Sequence, residues 1–370
     1  MKILQVSSAE SWRGGEQQLS YLQEELMNSG INSTVFCKKN SALHAYCKTN
    51  RIPHETFSGG RFAAVVQLTK VCRKAKPQLL HTHDSHSHTI AWLAQQLKLI
   101  NTPLVVSRRV DFPIGKNPLS LKKYNHPSVK KIICVSKAIQ KIIEPKIKKK
   151  EKLCVVHDGI DFQRFAERQP YPLSEREKKG GLLRKELHID KSSFLFGKVA
   201  ALAPHKDYPT FIKAAEFLLQ KGIPAHFLLF GHDGGCKEEI EQLIAGSPYR
   251  KRFHLMGFRQ DINLLLPELD IFLFTSKTEG LGSSLLDAMY CGIPIVSTAA
   301  GGIPEIIQHE KNGLLATIGN ATELALQVER LIQDKELTKK LIKNGKQRVL
   351  HFTKTAMAQK TTRIYEEMLS

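Results

Sequence analysis

Between residues 275 and 305 the chain reads TSKTEGLGSSLLDAMYCGIPIVSTAAGGIPE. Two acids, Glu279 and Asp287, stand eight positions apart, and Gly280, Leu281, Gly282, Ser283 and Ser284 lead into an apolar, helix-forming run between them. The first N–H groups of a helix have no internal acceptor, and together with the helix dipole they attract phosphate. A carboxylate at Asp287, about two turns beyond Glu279, can grip a ribose diol while the helix start holds a diphosphate. That pairing is the chemistry of a nucleotide-sugar site. The same residues also suit a plain structural role, because Gly-Ser is a common helix cap and acids near a helix start complement its dipole. Taken alone, the stretch leaves both readings open.

Other residues could join this chemistry. Lys206, in ALAPHKDYPTF, sits between Pro204 and Pro209 and just before a helical run. A lysine there can neutralise a leaving diphosphate. Gly14 and Gly15, in SWRGGE, allow close approach to the backbone where a first strand meets a first helix. The pattern is not GxGxxG, so the dinucleotide fingerprint is absent. His81, His83, His86 and His88 form HTHDSHSH. The spacing suggests a metal at first sight, but His81 and His83 share a face only in extended chain, while His86 and His88 fall at a helix start. A neutral His83 at a strand end that orients an acceptor hydroxyl is the better functional reading, against packing or capping as the plain one. Arg108, Arg109 and Asp111 follow an apolar strand. They suit phosphate or carboxylate recognition, or a simple Arg–Asp surface pair.

The elements that would position these residues alternate. KILQVS (2–7) reads as a strand, and 14–30 as a helix with Leu19, Leu22 and Leu26 on one face. STVFC, the Ile52-Pro53 segment, QLLHTH, TPLVVS, KIICVS and KLCVVHDGID (152–161) supply further strand candidates, with helices at 61–75, 86–99 and 137–144. Alternation of this kind predicts a parallel, doubly wound α/β sheet. Residues 166–192 break the rhythm with prolines, charges and a Gly pair, and read as an interdomain linker. A second alternation begins at FLFGKVAALA (194–203) and continues through HFLLFG, RFHLM, IFLFT and IPIVST. The expected organisation is a first domain over 1–165, a linker over 166–192 and a second domain over 193–352. A final helix over 353–370 completes the chain.

The 370 residues suffice for two domains with ample core. No apolar run approaches the length of a membrane span, and MKILQVSS reads as a strand, not a signal peptide, so a cytoplasmic location is expected. Seven scattered cysteines without CxxC spacing read as reduced, buried thiols. The net charge is +20, and residues 1–165 carry 27 Lys and Arg against 11 Asp and Glu. A polyanion or an anionic membrane surface would be drawn to that half. Nucleic acid is not expected, since aromatic content is 7% and no recognition motif appears.

In this order, the pieces resemble the GT-B glycosyltransferases, and most closely the retaining enzymes of family 4. The resemblance spans essentially the whole chain and is strongest in Lys206, FGHDG (230–234) and Glu279 through Glu305. It implies two Rossmann-like domains facing across a cleft, with the C-terminal helix crossing back to the first. It also implies donor contacts at Gly14, Gly15, Gly231, Gly280, Leu281, Gly282, Ser283, Ser284 and Asp287. Lys206 and Glu279 would be catalytic, assisted by His83, and Arg108, Arg109 and Asp111 would face the acceptor. Ala201 departs from the family's usual Arg five positions before the Lys, Asp287 replaces the commoner Glu, and Arg109 stands where relatives often carry His. The activity so implied is retaining transfer from a nucleoside-diphosphate sugar, with a UDP-sugar as the leading donor, to a glycan or lipid-linked acceptor. The setting would be cell-envelope synthesis of a lipopolysaccharide-like product at the inner membrane face, with no cofactor or essential metal. Rival readings are a non-catalytic nucleotide-sugar or anion-binding protein, made plausible by Ala201, and another GT-B enzyme such as an epimerase or phosphorylase.

Overall fold

A computed structural model describes residues 1–115, 118–165 and 181–370. The chain forms two compact units, Met1–Gly159 with Phe352–Ser370, and Ile160–His351. The division thus falls at Gly159/Ile160, a few residues before the 165/166 boundary expected from sequence. Most of the expected linker, 166–180, lies outside the described residues. Its remainder contains a short helix, Leu182–Glu186, within the second unit.

The first unit is built on seven short strands: β1 (Lys2–Ser7), β2 (Asn32–Lys38), β3 (His54–Phe57), β4 (Leu79–Thr82), β5 (Leu104–Arg108), β6 (Val129–Cys134) and β7 (Leu153–Val155). All pair in parallel, in the order β3-β2-β1-β4-β5-β6-β7. The central strands are buried along their whole length, as β4 and β5 show. Helices on both faces require this, and it explains why those strands read as unbroken apolar runs. Strand order reverses between β1 and β4, so the connections leaving their C-terminal ends diverge and open a crevice there. The terminal helix, Lys354–Leu369, belongs to this unit. Its Met357, Ala358, Ile364 and Tyr365 pack with Ile3, Tyr21, Leu22, Val105 and Ile133.

The second unit repeats the plan with β8 (Phe194–Val199), β9 (Ala225–Phe230), β10 (Phe253–Gly257), β11 (Ile271–Phe274), β12 (Ile295–Thr298) and β13 (Leu314–Ala316). Its parallel order is β10-β9-β8-β11-β12-β13, with the reversal between β8 and β11. Phe196, Phe211, Phe227, Leu229, Leu273 and Val296 lie in its core. The run 194–203 is strand only as far as Val199. Beyond it the backbone turns through Ala200–Ala203 into a 3-10 turn at Pro204–Lys206. Two helices, Ala42–Thr49 and Pro118–Tyr124, and the three-residue β13 are elements that sequence reading did not predict.

Candidate functional site

The reversal in the second unit brings Lys206 and Glu279 together. Lys206 ends the turn after β8, and Glu279 lies in the loop after β11. Their side chains form an ion pair, and each is largely buried. The two loops are sewn to one another through the backbone. Lys277 N donates to His205 O at 2.7 Å, Ser276 Oγ donates to the same carbonyl at 2.9 Å, and Thr275 Oγ1 lies 3.0 Å from Lys206 O and 2.9 Å from Asp207 O. Ser276 N in turn donates to Thr298 Oγ1 at 2.8 Å, which ties the loop to β12. The ion pair is therefore built on fixed backbone and not on two free loops.

Gly282 follows with φ +88°, the left-handed turn that starts the helix Ser283–Tyr290. Leu285 N donates to Gly282 O, while the N–H groups of Ser283 and Ser284 find no acceptor among the described residues. These two amides and the helix dipole suit an anion such as a phosphate, and the Lys206 ammonium is the cation paired with Glu279 in the loop that leads to them. Asp287, one turn into the helix, is 4.0 Å from the Arg164 guanidinium. Burial pushes its carboxyl up to about 6, with the Arg164 charge pulling the other way. Arg164 is brought there because Phe162 stacks on Tyr290 of the same helix, with centroids 4.4 Å apart. Sequence reading missed Arg164, since it lies next to the linker and carries no motif.

The glycines divide by what surrounds them. A Cβ on Gly301, at φ +50°, would lie 2.0 Å from Glu279 O, and Gly302 N donates to that carbonyl at 2.9 Å. This turn clamps the backbone of Glu279. A Cβ on Gly231 would lie 1.9 Å from Ala200 O, so Gly231 is required by the approach of β9 to the loop after β8. Gly14 and Gly15 differ, because a Cβ there meets nothing within 4 Å. The fold of their own unit does not demand glycine at either position.

In the first unit, Gly14 opens the helix Gly14–Asn28. Glu16, another residue missed from sequence, closes the turn by accepting from Arg13 N at 3.2 Å, and burial raises its carboxyl. The histidine run divides: His81 and His83 stay together, their ring centroids 4.0 Å apart, while His86 and His88 lie on the following helix. His81 bridges Tyr365 Oη at 2.5 Å and Ser107 Oγ at 2.8 Å. His83 Nε2 donates to Gln5 Oε1 at 2.7 Å, which leaves a bare Nδ1. His86 is exposed, and His88 is buried against the edge of Tyr124. Burial holds His81, His83 and His88 well below the usual histidine range, which favours the neutral ring. Among the described residues no group of three or more His, Cys, Asp or Glu side chains gathers as a metal cage.

The adjacent arginines point to different surroundings. Arg108 is buried, donates to Tyr124 Oη at 3.2 Å and to Phe112 O, and stacks on the Phe112 ring. It holds the loop together and has little surface for a ligand. Arg109 pairs with Asp158 at 3.1 Å, and its charge helps lower both His81 and His83. Asp111 makes no ion pair among the described residues. Ala201 is uncharged. On the preceding strand, β8, Lys198 is fully buried, with its amine 2.6 Å from Thr275 Oγ1. Away from the strand C-termini, Lys130, Lys131, Lys148, Lys149 and Lys152 line a concave surface near the starts of β6 and β7. No helix among the described residues is long and apolar enough to cross a membrane.

Comparison with known proteins bears on the family and the fold. Residues 12–164 match the model for Glycosyltransferase Family 4, and residues 181–348 match that for Glycosyl transferases group 1. A Campylobacter jejuni protein, N,N'-diacetylbacillosaminyl-diphospho-undecaprenol alpha-1,3-N-acetylgalactosaminyltransferase, is 31% identical over 225 residues, which is 60% of this chain and 56% of that protein. The Escherichia coli UDP-Gal:alpha-D-GlcNAc-diphosphoundecaprenol alpha-1,3-galactosyltransferase is 23% identical over 348 residues, covering 87% of this chain and 86% of that one. The crystal structure of Anabaena Alr3699/HepE in complex with UDP and glucose superposes with a TM-score of 0.84 at 22% identity, covering 99% of each chain. Two family models matched in chain order, on two sheets with the same reversal of strand order, place this chain in the GT-B glycosyltransferases of family 4 and group 1.

Proposed function

We propose that the second unit binds a nucleoside-diphosphate sugar, a UDP-sugar first, and that the enzyme transfers the sugar with retention of configuration to a lipid-linked acceptor. The observation that carries this reading is the Lys206–Glu279 pair set beside the unpartnered Ser283 and Ser284 amides. In the transition state the departing phosphate gains negative charge and the sugar ring gains positive charge. Lys206 and the amides meet the first without reorganising, which is the largest contribution such a site can make. Glu279 keeps Lys206 aimed and faces the developing ring charge. Asp287 takes the ribose hydroxyls. Gly14 and Gly15 leave amides open to the diphosphate, while His83 and Arg109 serve the acceptor. The departing phosphate takes the acceptor's proton in a front-face displacement, so neither an enzymic nucleophile nor an essential metal is expected.

The relatives support the donor and acceptor classes, since both are named for transfer to a sugar on diphospho-undecaprenol and one is named for UDP-Gal. The lysine-lined surface of the first unit supports association with an anionic membrane face, from the cytoplasmic side, for cell-envelope glycoconjugate (lipopolysaccharide-like) synthesis. Incubation with UDP-, GDP- and ADP-sugars and a polyprenyl-diphosphate-linked sugar, with NMR of the product's anomeric proton, tests the reading. Transfer from a UDP-sugar that keeps the donor's anomeric configuration supports it. Inverted product, or no transfer from any of the donors in the presence of chelator, contradicts it.

A further inference from the structure

Lys198 stands in the middle of β8 and is fully buried. Its stem runs among aromatic rings, and its amine lies 3.9 Å over the Tyr208 ring centre, 5.4 Å from that of Phe211 and 5.7 Å from that of Phe274. The amine donates to Lys206 O and to Thr275 Oγ1. The Thr275 hydroxyl in turn reaches the Lys206 and Asp207 carbonyls. One nitrogen and one hydroxyl thus fix the backbone of Lys206 and the first residue after β11 to each other, directly under the Lys206–Glu279 pair.

Burying an amine among rings is costly, and a methionine would fill the same stem without that cost. Burial and the nearby Lys206 charge hold the Lys198 amine well below the ordinary lysine range, while Asp207 and Glu279 pull it back. Asp207 itself is 2% exposed, with Oδ2 unpartnered. Stability alone gives no reason to keep a polar group here. Its two hydrogen bonds end on the backbone and loop that carry the proposed leaving-group cation.

We propose that Lys198 is a positioning residue for sugar transfer: through Lys206 O and Thr275 Oγ1 it locks the turn after β8 against the loop after β11 and so aims the Lys206 ammonium at the donor diphosphate. This rests on the reading of Lys206 given above, and the experiment separates the two. Lys198→Met, Thr275→Val, Thr275→Ser, Lys206→Ala and the double variant Lys198→Met/Lys206→Ala are compared by donor-saturated kcat, donor KM and thermal melting. Lys198→Met is expected to melt no lower than the parent yet to lose kcat by about 10- to 100-fold, the scale of a small misplacement of a catalytic group. Thr275→Val should lose kcat in the same way and Thr275→Ser should retain it. The double variant should be no slower than Lys206→Ala alone, because Lys198 acts through Lys206. Full kcat in Lys198→Met, losses that multiply in the double variant, or a kcat loss that only tracks a lowered melting point would each overturn the proposal. Full activity in Lys206→Ala would instead overturn the reading of Lys206 itself.

Discussion

Lys206 and Glu279 lie 73 positions apart in the chain and meet as an ion pair where the sheet of the second unit reverses its strand order. Neither residue is held by its own side chain alone. The turn that carries Lys206 is bonded to Ser276 and Lys277, and the carbonyl of Glu279 is clamped by Gly302 N. The pair is preorganised, and in a leaving-group site preorganisation is what lowers the barrier. Lys206→Ala should therefore lower donor-saturated kcat by about 10²- to 10³-fold, the usual loss on removing one such donor. Steady-state assay with a UDP-sugar measures this, with circular dichroism to confirm that the variant is folded.

Asp287 gives a pH signature. Its carboxyl is raised from the ordinary 3.8 to about 6, so between those values the folded protein holds a proton that the unfolded chain has lost. Stability from this group is fully present below about pH 4 and is lost as the pH rises through about 6. Asp287→Asn should flatten that part of the curve and melt higher than the parent at pH 8. Donor binding should run the opposite way, since the ionised carboxylate is the better acceptor for ribose hydroxyls. The dissociation constant should rise as the pH falls below about 6 in the parent, and the Asn variant should bind weakly and without this dependence. Calorimetric titration with UDP from pH 5 to 8, alongside melting curves, reads both effects.

The glycines should separate fold from function. Gly14→Ala and Gly15→Ala place a methyl in open space and should leave the melting temperature unchanged while raising donor KM. Gly301→Ala pushes a methyl against Glu279 O at a positive φ and should destabilise by about 1–3 kcal/mol, as overpacking does. Urea unfolding and donor kinetics on all three variants check the contrast.

The charge excess of the first half also has a place in the structure. Lys130, Lys131, Lys148, Lys149 and Lys152 share one concave surface, and the Lys152 amine is lowered by burial and then by Lys149 and Lys130. If this surface meets a membrane, sedimentation with vesicles containing anionic lipid should exceed that with neutral vesicles at low salt. The difference should shrink as salt shortens the screening length to about 8–10 Å. Lys148→Glu/Lys149→Glu should abolish it, at about 1 kcal/mol or more per charge changed. Equal binding to neutral vesicles would remove the membrane reading and leave the transfer chemistry untouched.

Both alternations, both sheets and the helix that starts after Gly282 were legible because each rests on local pattern: buried parallel strands are apolar runs, and a helix start advertises itself with glycine and serine. Lys198 was not legible. Inside FLFGKV a lysine reads as the exposed face of a strand, and only the packing of Tyr208, Phe211 and Phe274 around it shows otherwise. Arg108 and Arg109 look alike in sequence, but neighbouring residues at a strand end face opposite ways, and one is consumed by Tyr124 and Phe112 while the other reaches Asp158. In the histidine run only His81 and His83 share surroundings, with ring centroids 4.0 Å apart, while the helix period sends His86 to solvent and His88 into the core. Strand β13 is three residues long, too short to show a period.

The most direct measurement is a crystal structure of the protein soaked with UDP. Both phosphates should lie against the Ser283 and Ser284 amides and within hydrogen-bond reach of Lys206 Nζ, with the ribose hydroxyls on Asp287. A diphosphate seated away from Lys206 and the Gly282 turn would contradict the account.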